Sequence, residues 1–134
     1  PHLLRILEGL NAEGAQPEEA FPVTIDVVGL YPNIPSEEGI AALTEYISDP
    51  IYRDQSMPWQ FLITLLRFTL TFNSFIFNGQ HYLQNFGTAI GSKCSPGYAN
   101  IFMGRLEKWI LEGWKGRPPD IWKRYIDDII SYRR

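Results

Sequence analysis

The sequence predicts an α+β fold in which helices cover one face of an antiparallel sheet. Three observations predict it. Residues 22–28 are a β-branched run, Asn78-Gly79 divides two short apolar strands, and residues 121–132 read as a second hairpin. Helical patterns separate these segments. At 134 residues, with 45% hydrophobic and 14% aromatic side chains, the chain suits one globular domain with a real core.

The elements follow in order. Leu3, Leu4, Leu7 and Leu10 suggest a short helix in a lead segment of residues 1–20, with a polar, acidic loop over residues 11–20. Residues 22–28 suit a buried strand, with Thr24, Asp26 and Val28 on one face and Val23, Ile25 and Val27 on the face that packs on helices. Residues 29–35 hold two prolines and read as a turn. Ser36 is the expected N-cap of a helix to about Ile47, with Glu37 and Glu38 in its first turn.

Residues 48–57 form a loop, and Pro58 suits the first position of a second helix, to about Phe72. Asn78-Gly79 favours a type I′ hairpin turn between residues 75–77 and 80–83. Residues 85–94 are a Gly-rich loop, and Ser95-Pro96 opens a helix to about Glu112. Residues 121–126 and 129–132 then pair, with Asp127-Asp128 at the tip. That register places Tyr125 on one side with Asp127 and Trp122 on the other with Ile126.

Composition excludes several classes. Cys94 is the single cysteine, so no intrachain disulfide forms, in keeping with a reducing compartment. With only His2, His81 and Cys94 as soft donors, a zinc site is not expected. The apolar run 61–72 is interrupted by Arg67 and falls short of the roughly 20 residues of a membrane span, so no membrane partner is expected. The chain opens Pro1-His2 without an initiator Met, so it is expected to be a piece of a longer protein. Net charge is −3, but residues 1–50 hold nine acids against one base and residues 51–134 six acids against eleven bases. The second half could offer a basic track to a polyanion, or simply a mixed surface.

Three acids could carry chemistry. Asp26 sits inside an apolar strand, where an unpaired charge is penalised. Adjacent Asp127 and Asp128 repel each other unless something positive lies between them. Three carboxylates from two distant strands can hold two Mg²⁺ ions about 3.5–4 Å apart, a pair that activates an attacking 3′ oxygen and stabilises leaving pyrophosphate. Each acid has a plainer alternative: Asp26 accepting backbone hydrogen bonds at a strand end, and Asp127-Asp128 as ordinary turn residues. The third element, Gly87-Thr88-Ala89-Ile90-Gly91-Ser92-Lys93-Cys94-Ser95-Pro96, lets backbone approach a nucleotide or template closely, or is an ordinary Gly-rich loop. It lacks the Gly-Lys-Ser/Thr order of a Walker loop.

Taken in order, these segments match a family. Thr24-Ile25-Asp26-Val27-Val28-Gly29-Leu30-Tyr31-Pro32-Asn33-Ile34-Pro35, then residues 87–100, then Tyr125-Ile126-Asp127-Asp128 resemble motifs A, B and C of reverse transcriptases. The wording is most similar to Penelope-like retroelements, whose polymerase is related to that of telomerase. The resemblance runs from about residue 21 to the end of the chain.

The resemblance implies a polymerase palm with incomplete fingers and thumb: an RNA-directed DNA polymerase (a nucleotidyltransferase) extending a primer 3′ end by a two-metal mechanism. Asp26, Asp127 and Asp128 would be the catalytic acids and would bind two Mg²⁺ ions, or Mn²⁺ in their place, with the backbone of Val27. Backbone amides from Val27 through Val28 and Gly29 to Leu30 would meet the triphosphate. Tyr31 would be the steric gate that clashes with a 2′-hydroxyl and so favours deoxynucleotides. Ile90 and Gly91 would lie against the incoming nucleotide and template base. Tyr125, Lys93, Ser95 and Pro96 would face nucleic acid, with Tyr125 near the primer end; Lys93, Lys123 and Arg124 are candidate phosphate contacts or, equally, solvated surface charges. The implied partners are an RNA or DNA template with its primer and deoxynucleoside triphosphates, and the implied location is intracellular and nuclear.

The chain departs from the complete pattern in places. Ile90 stands where many reverse transcriptases carry Gln. Only Arg5 precedes Asp26 as a base, so the basic fingers residues are expected upstream, and the primer grip and thumb after residue 134. Any GIY-YIG endonuclease lies outside these residues. The chain is thus expected to be a palm-centred piece, residues 21–134, with little extension activity by itself. Two alternatives stand beside it: an inactive palm remnant that binds nucleic acid or a partner, and a two-metal nuclease.

Overall fold

The computed structural model describes residues 4–6, 8–9, 21–51 and 56–133. In chain order the elements are β1 (Phe21–Asp26), α1 (Leu30–Asn33), α2 (Ser36–Ser48), α3 (Trp59–Thr71), β2 (Ser74–Phe77), β3 (Gln80–Leu83), α4 (Ser95–Glu112), β4 (Ile121–Tyr125) and β5 (Asp128–Arg133). Helix and antiparallel sheet are mixed, as the sequence predicts. Of the lead segment, residues 4–6 and 8–9 are helical. The rest of the expected lead helix and the acidic loop over residues 11–20 lie outside the described residues. Two compact units emerge: residues 1–28 with 113–134, and residues 29–112.

The first unit is a three-stranded antiparallel sheet in the order β1-β5-β4. β1 ends at Asp26, two residues before the expected limit, and the Val27 N–H then donates to the Asp127 carbonyl at 3.1 Å. Val23 and Ile25 were expected to pack under helices. Instead both are exposed, and with Phe21 they share a pocket with Trp114, Pro119 and Trp122. The Trp114 and Trp122 rings meet edge to face at 6.5 Å, and the Trp114 indole N–H donates to the Arg117 carbonyl.

In the second unit the core is built from Leu30 and Ile34, from Ile40, Ala42 and Leu43 of α2, from Leu70 of α3, and from Tyr98, Ala99 and Met103 of α4. Gly39 lets α2 and α4 approach: a β-carbon there would collide with the Tyr98 hydroxyl. On the outside, Arg67 of α3 grips Glu37 of α2 with two hydrogen bonds of 2.7 and 3.2 Å, which raises the Arg67 pKa further.

Both proline-led helix starts shift by one residue from expectation. Pro35 and Pro58 occupy the N-cap positions, with ψ of 125° and 122°, and Ser36 is already helical. Their carbonyls accept the first helical bonds, from Gly39 and Leu62, and this defines a cap. The β2–β3 hairpin matches its signal: Asn78 and Gly79 have φ of 50° and 76°, as a type I′ turn requires. Residues 29–35 are more ordered than a turn. Gly29 (φ 62°) leads into the one-turn helix α1, closed by the Asn33 side-chain amide donating to the Gly29 carbonyl.

Candidate active site

In the first unit, strand register alone assembles a face. Asp26 pairs with Asp128, which pairs with Tyr125; one step along, Thr24 pairs with Ile130, which pairs with Lys123. Period-2 alternation puts all six side chains on one side of the sheet. A cleft of about 730 Å³ runs there, lined by residues 24–26, 123–125 and 128–130. Directly opposed residues of an antiparallel pair have Cα atoms about 4.5–5.5 Å apart. Two ionised carboxylates at that separation oppose each other. Lys123 lies diagonally across from Asp128 on the same face.

The turn differs from the sequence expectation. Its central residues are Ile126 and Asp127, not Asp127 and Asp128. Asp128 is the first residue of β5, so Tyr125 shares a face with Asp128 rather than with Asp127, and Trp122 shares the other face with Arg124. The cause is the pairing of β5 with both neighbours, which fixes Asp128 opposite Asp26 and Tyr125. Ile126 takes φ 59°, a left-handed conformation that a β-branched residue rarely adopts. Both turn carbonyls are held. Val27 N–H donates to that of Asp127, and Arg124 Nη1 donates to that of Ile126 at 3.0 Å. The Val27 N–H is therefore engaged in the sheet, not free to meet a triphosphate as expected.

The second unit carries Tyr31 and the Gly-rich loop and joins them. The Thr88 N–H donates to the Tyr31 carbonyl at 2.9 Å, and Gly87 (φ 72°) lies against the backbone of Pro32. The loop is tied internally. Ser95 Oγ donates to the Ala89 carbonyl at 2.6 Å and lies 3.1 Å from Thr88 Oγ1. Thr88 and Ser95 are both buried. Ser95 was expected to face nucleic acid, but its hydroxyl is committed inward and its side chain has no surface to offer.

The remaining candidates are distributed as follows. Tyr125 is 77% exposed and Ile90 75% exposed. Val28, Gly29, Gly91, Lys93 and Pro96 are exposed, Tyr31 is half-buried, and Leu30 is core, leaving only its backbone available. Arg124, expected to contact phosphate, is half-buried with its guanidinium on the turn carbonyl. Sequence reasoning missed that bracing and the buried Thr88–Ser95 pair. A base two residues before an Ile in a tight turn was the available signal for the first, while the second had none.

Among the described residues, no group of three or more His, Cys, Asp or Glu side chains is placed to hold a metal ion, so the side chains of Asp26, Asp127 and Asp128 do not converge as the expected three-carboxylate cluster. The backbone nevertheless brings Asp26 and Asp128 directly opposite, with Asp127 adjacent in the turn, and the donors are all oxygen, the chemistry that suits Mg²⁺. No helix among the described residues is long and apolar enough to cross a membrane.

Comparison with known proteins gives two positive findings. The family model described as reverse transcriptase (RNA-dependent DNA polymerase) matches residues 4–134. Among solved structures, the chain is similar to apo telomerase from Candida tropicalis truncated from its C-terminal domain, with a TM-score of 0.71 and 13% identity. The match covers 98% of this chain and 27% of the telomerase chain, and at that identity it is a likeness of fold. No curated protein matches.

Proposed function

The chain belongs to the reverse transcriptase family, and on that premise we propose that it is the palm core of an RNA-directed DNA polymerase. It would add deoxynucleotides to a primer 3′ end by phosphoryl transfer. The observation that carries this is the register that sets Asp26 opposite Asp128, with Asp127 pinned beside them in the turn.

Asp26, Asp127 and Asp128, with the Val27 carbonyl, would hold two Mg²⁺ ions, or Mn²⁺. When bound, such ions supply Lewis acidity for the attacking 3′ oxygen and the leaving pyrophosphate. The chain's own work is positioning. Asp26 and Asp128 stand on paired strands, so their spacing is set by the sheet rather than by a loop. Exposed Tyr125, beside them on the same face, offers a ring for the primer end.

In the second unit, Tyr31 would select against the 2′-hydroxyl, held by the Thr88 N–H at its carbonyl. The amides of Val28, Gly29 and Leu30 would face the triphosphate. Ile90 and Gly91 would meet the base pair, through an apolar side chain and bare backbone in place of a Gln. Lys93 and Pro96 would follow the template strand. RNA or DNA template with primer, and deoxynucleoside triphosphates, are the proposed partners. A Penelope-like affiliation, supported by the wording of residues 24–35, and a nuclear site of action belong to the same proposal.

Primer extension on an RNA template with Mg²⁺, by the parent protein, tests it. Asp26→Asn should abolish extension while template binding persists. Equal extension by the variant would refute the assignment. Template binding without extension in the wild type would point to the palm remnant instead.

A further inference from the structure

We propose that Arg124 is a positioning residue for the acidic turn, an assignment that rests on the metal-site reading above. Its guanidinium braces Ile126 in a strained conformation and so sets Asp127 and Asp128 for cation binding.

Register places Arg124 level with Ile129 and Ile25, on the face of the sheet opposite Tyr125, Asp128 and Asp26. From that side its Nη1 donates to the Ile126 carbonyl at 3.0 Å. Ile126 needs holding, because at φ 59° its β-carbon crowds the following carbonyl. Left alone, a β-branched residue would relax out of this conformation and turn Asp127 with it.

Two hydrogen bonds oppose that relaxation. Val27 fixes the Asp127 carbonyl from β1, and Arg124 fixes the Ile126 carbonyl from β4. The guanidinium also brings positive charge to a turn that carries two adjacent carboxylates, without occupying the face where a cation would sit. Arg suits this better than Lys, because its planar fork is rigid and its charge is permanent.

The test uses the parent protein with Arg124→Gln, Ile126→Gly and the double variant. The first readout is Mn²⁺ affinity by electron paramagnetic resonance, without template or nucleotide. The second is steady-state extension, split into kcat and KM for the deoxynucleotide. Arg124→Gln should weaken Mn²⁺ binding about tenfold, the usual scale for a residue supporting metal ligands. It should lower kcat while leaving KM unchanged.

Adding Ile126→Gly should recover most of both losses, because Gly adopts positive φ freely and needs no brace. Should Arg124→Gln fold poorly, Arg124→Lys keeps the charge and must show a smaller loss in the same direction. Unchanged Mn²⁺ affinity in Arg124→Gln, a loss that Ile126→Gly does not relieve, or a rise in KM alone would each overturn the proposal. Asp127→Asn separates the two levels. Mn²⁺ binding lost there but kept in Arg124→Gln overturns the positioning role alone, whereas Mn²⁺ binding kept in both refutes the metal site and the brace together.

Discussion

Gly87 lies so close to Pro32 that a β-carbon on it would overlap the Pro32 carbonyl. Next to it, the Thr88 N–H donates to the Tyr31 carbonyl. The Gly-rich loop thereby fixes the one-turn helix that carries Tyr31. Gly87→Ala should therefore suffer twice, from its φ of 72° and from the overlap. Gly79→Ala is the natural control, since its φ is 76° but nothing lies within 4 Å of its β-carbon. Denaturant unfolding should show about 1 kcal/mol lost for Gly79→Ala and at least about 2 kcal/mol for Gly87→Ala. Equal losses would remove the close approach as a cause.

Tyr31 gives a prediction about the sugar. Tyr31→Ala should raise incorporation of ribonucleotides relative to deoxynucleotides by about tenfold or more, the scale of a lost steric rejection. Single-nucleotide extension with each sugar measures it. An unaltered ratio would remove Tyr31 as the gate.

Tyr98 gives a pH dependence. Burial pushes its pKa up to about 12, with smaller contributions of the same sign from Cys94 and Glu37. An unfolded Tyr titrates near 10. The folded state therefore keeps its proton longer, and the associated stability is whole below pH ~10 and lost as pH rises from there toward 12. The loss should be on the order of 2 kcal/mol, read by unfolding at several pH values. Tyr98→Phe should be flatter across that window; an identical slope would contradict the assignment. The same substitution should also relieve part of the damage done by Gly39→Ala, whose β-carbon would meet the Tyr98 hydroxyl.

Local chemistry made much of this legible from sequence. Asn78-Gly79 specifies its own turn, because few other dipeptides accept two positive φ angles. Ser95-Pro96 opens α4 where expected. Asp26 was visible as a charge out of place in a β-branched run. What could not be read depends on partners distant in sequence. The turn falls on Ile126-Asp127 because β5 pairs on both sides, against the local preference of Ile. Ser95 is buried because Thr88 and Ala89 fold back over it. Arg124 donates to the Ile126 carbonyl, a partner that exists only once β4 and β5 have closed the turn.

On the proposed function, the acids at this turn serve phosphoryl transfer. The direct measurement is primer extension on an RNA template with Mg²⁺, comparing the parent protein with its Asp127→Asn variant, which keeps the shape of the side chain and removes its charge. Asp127→Asn should lower the rate at least about a hundredfold, since several kcal/mol of charge stabilisation is withdrawn from the transition state. Undiminished extension by Asp127→Asn would contradict it.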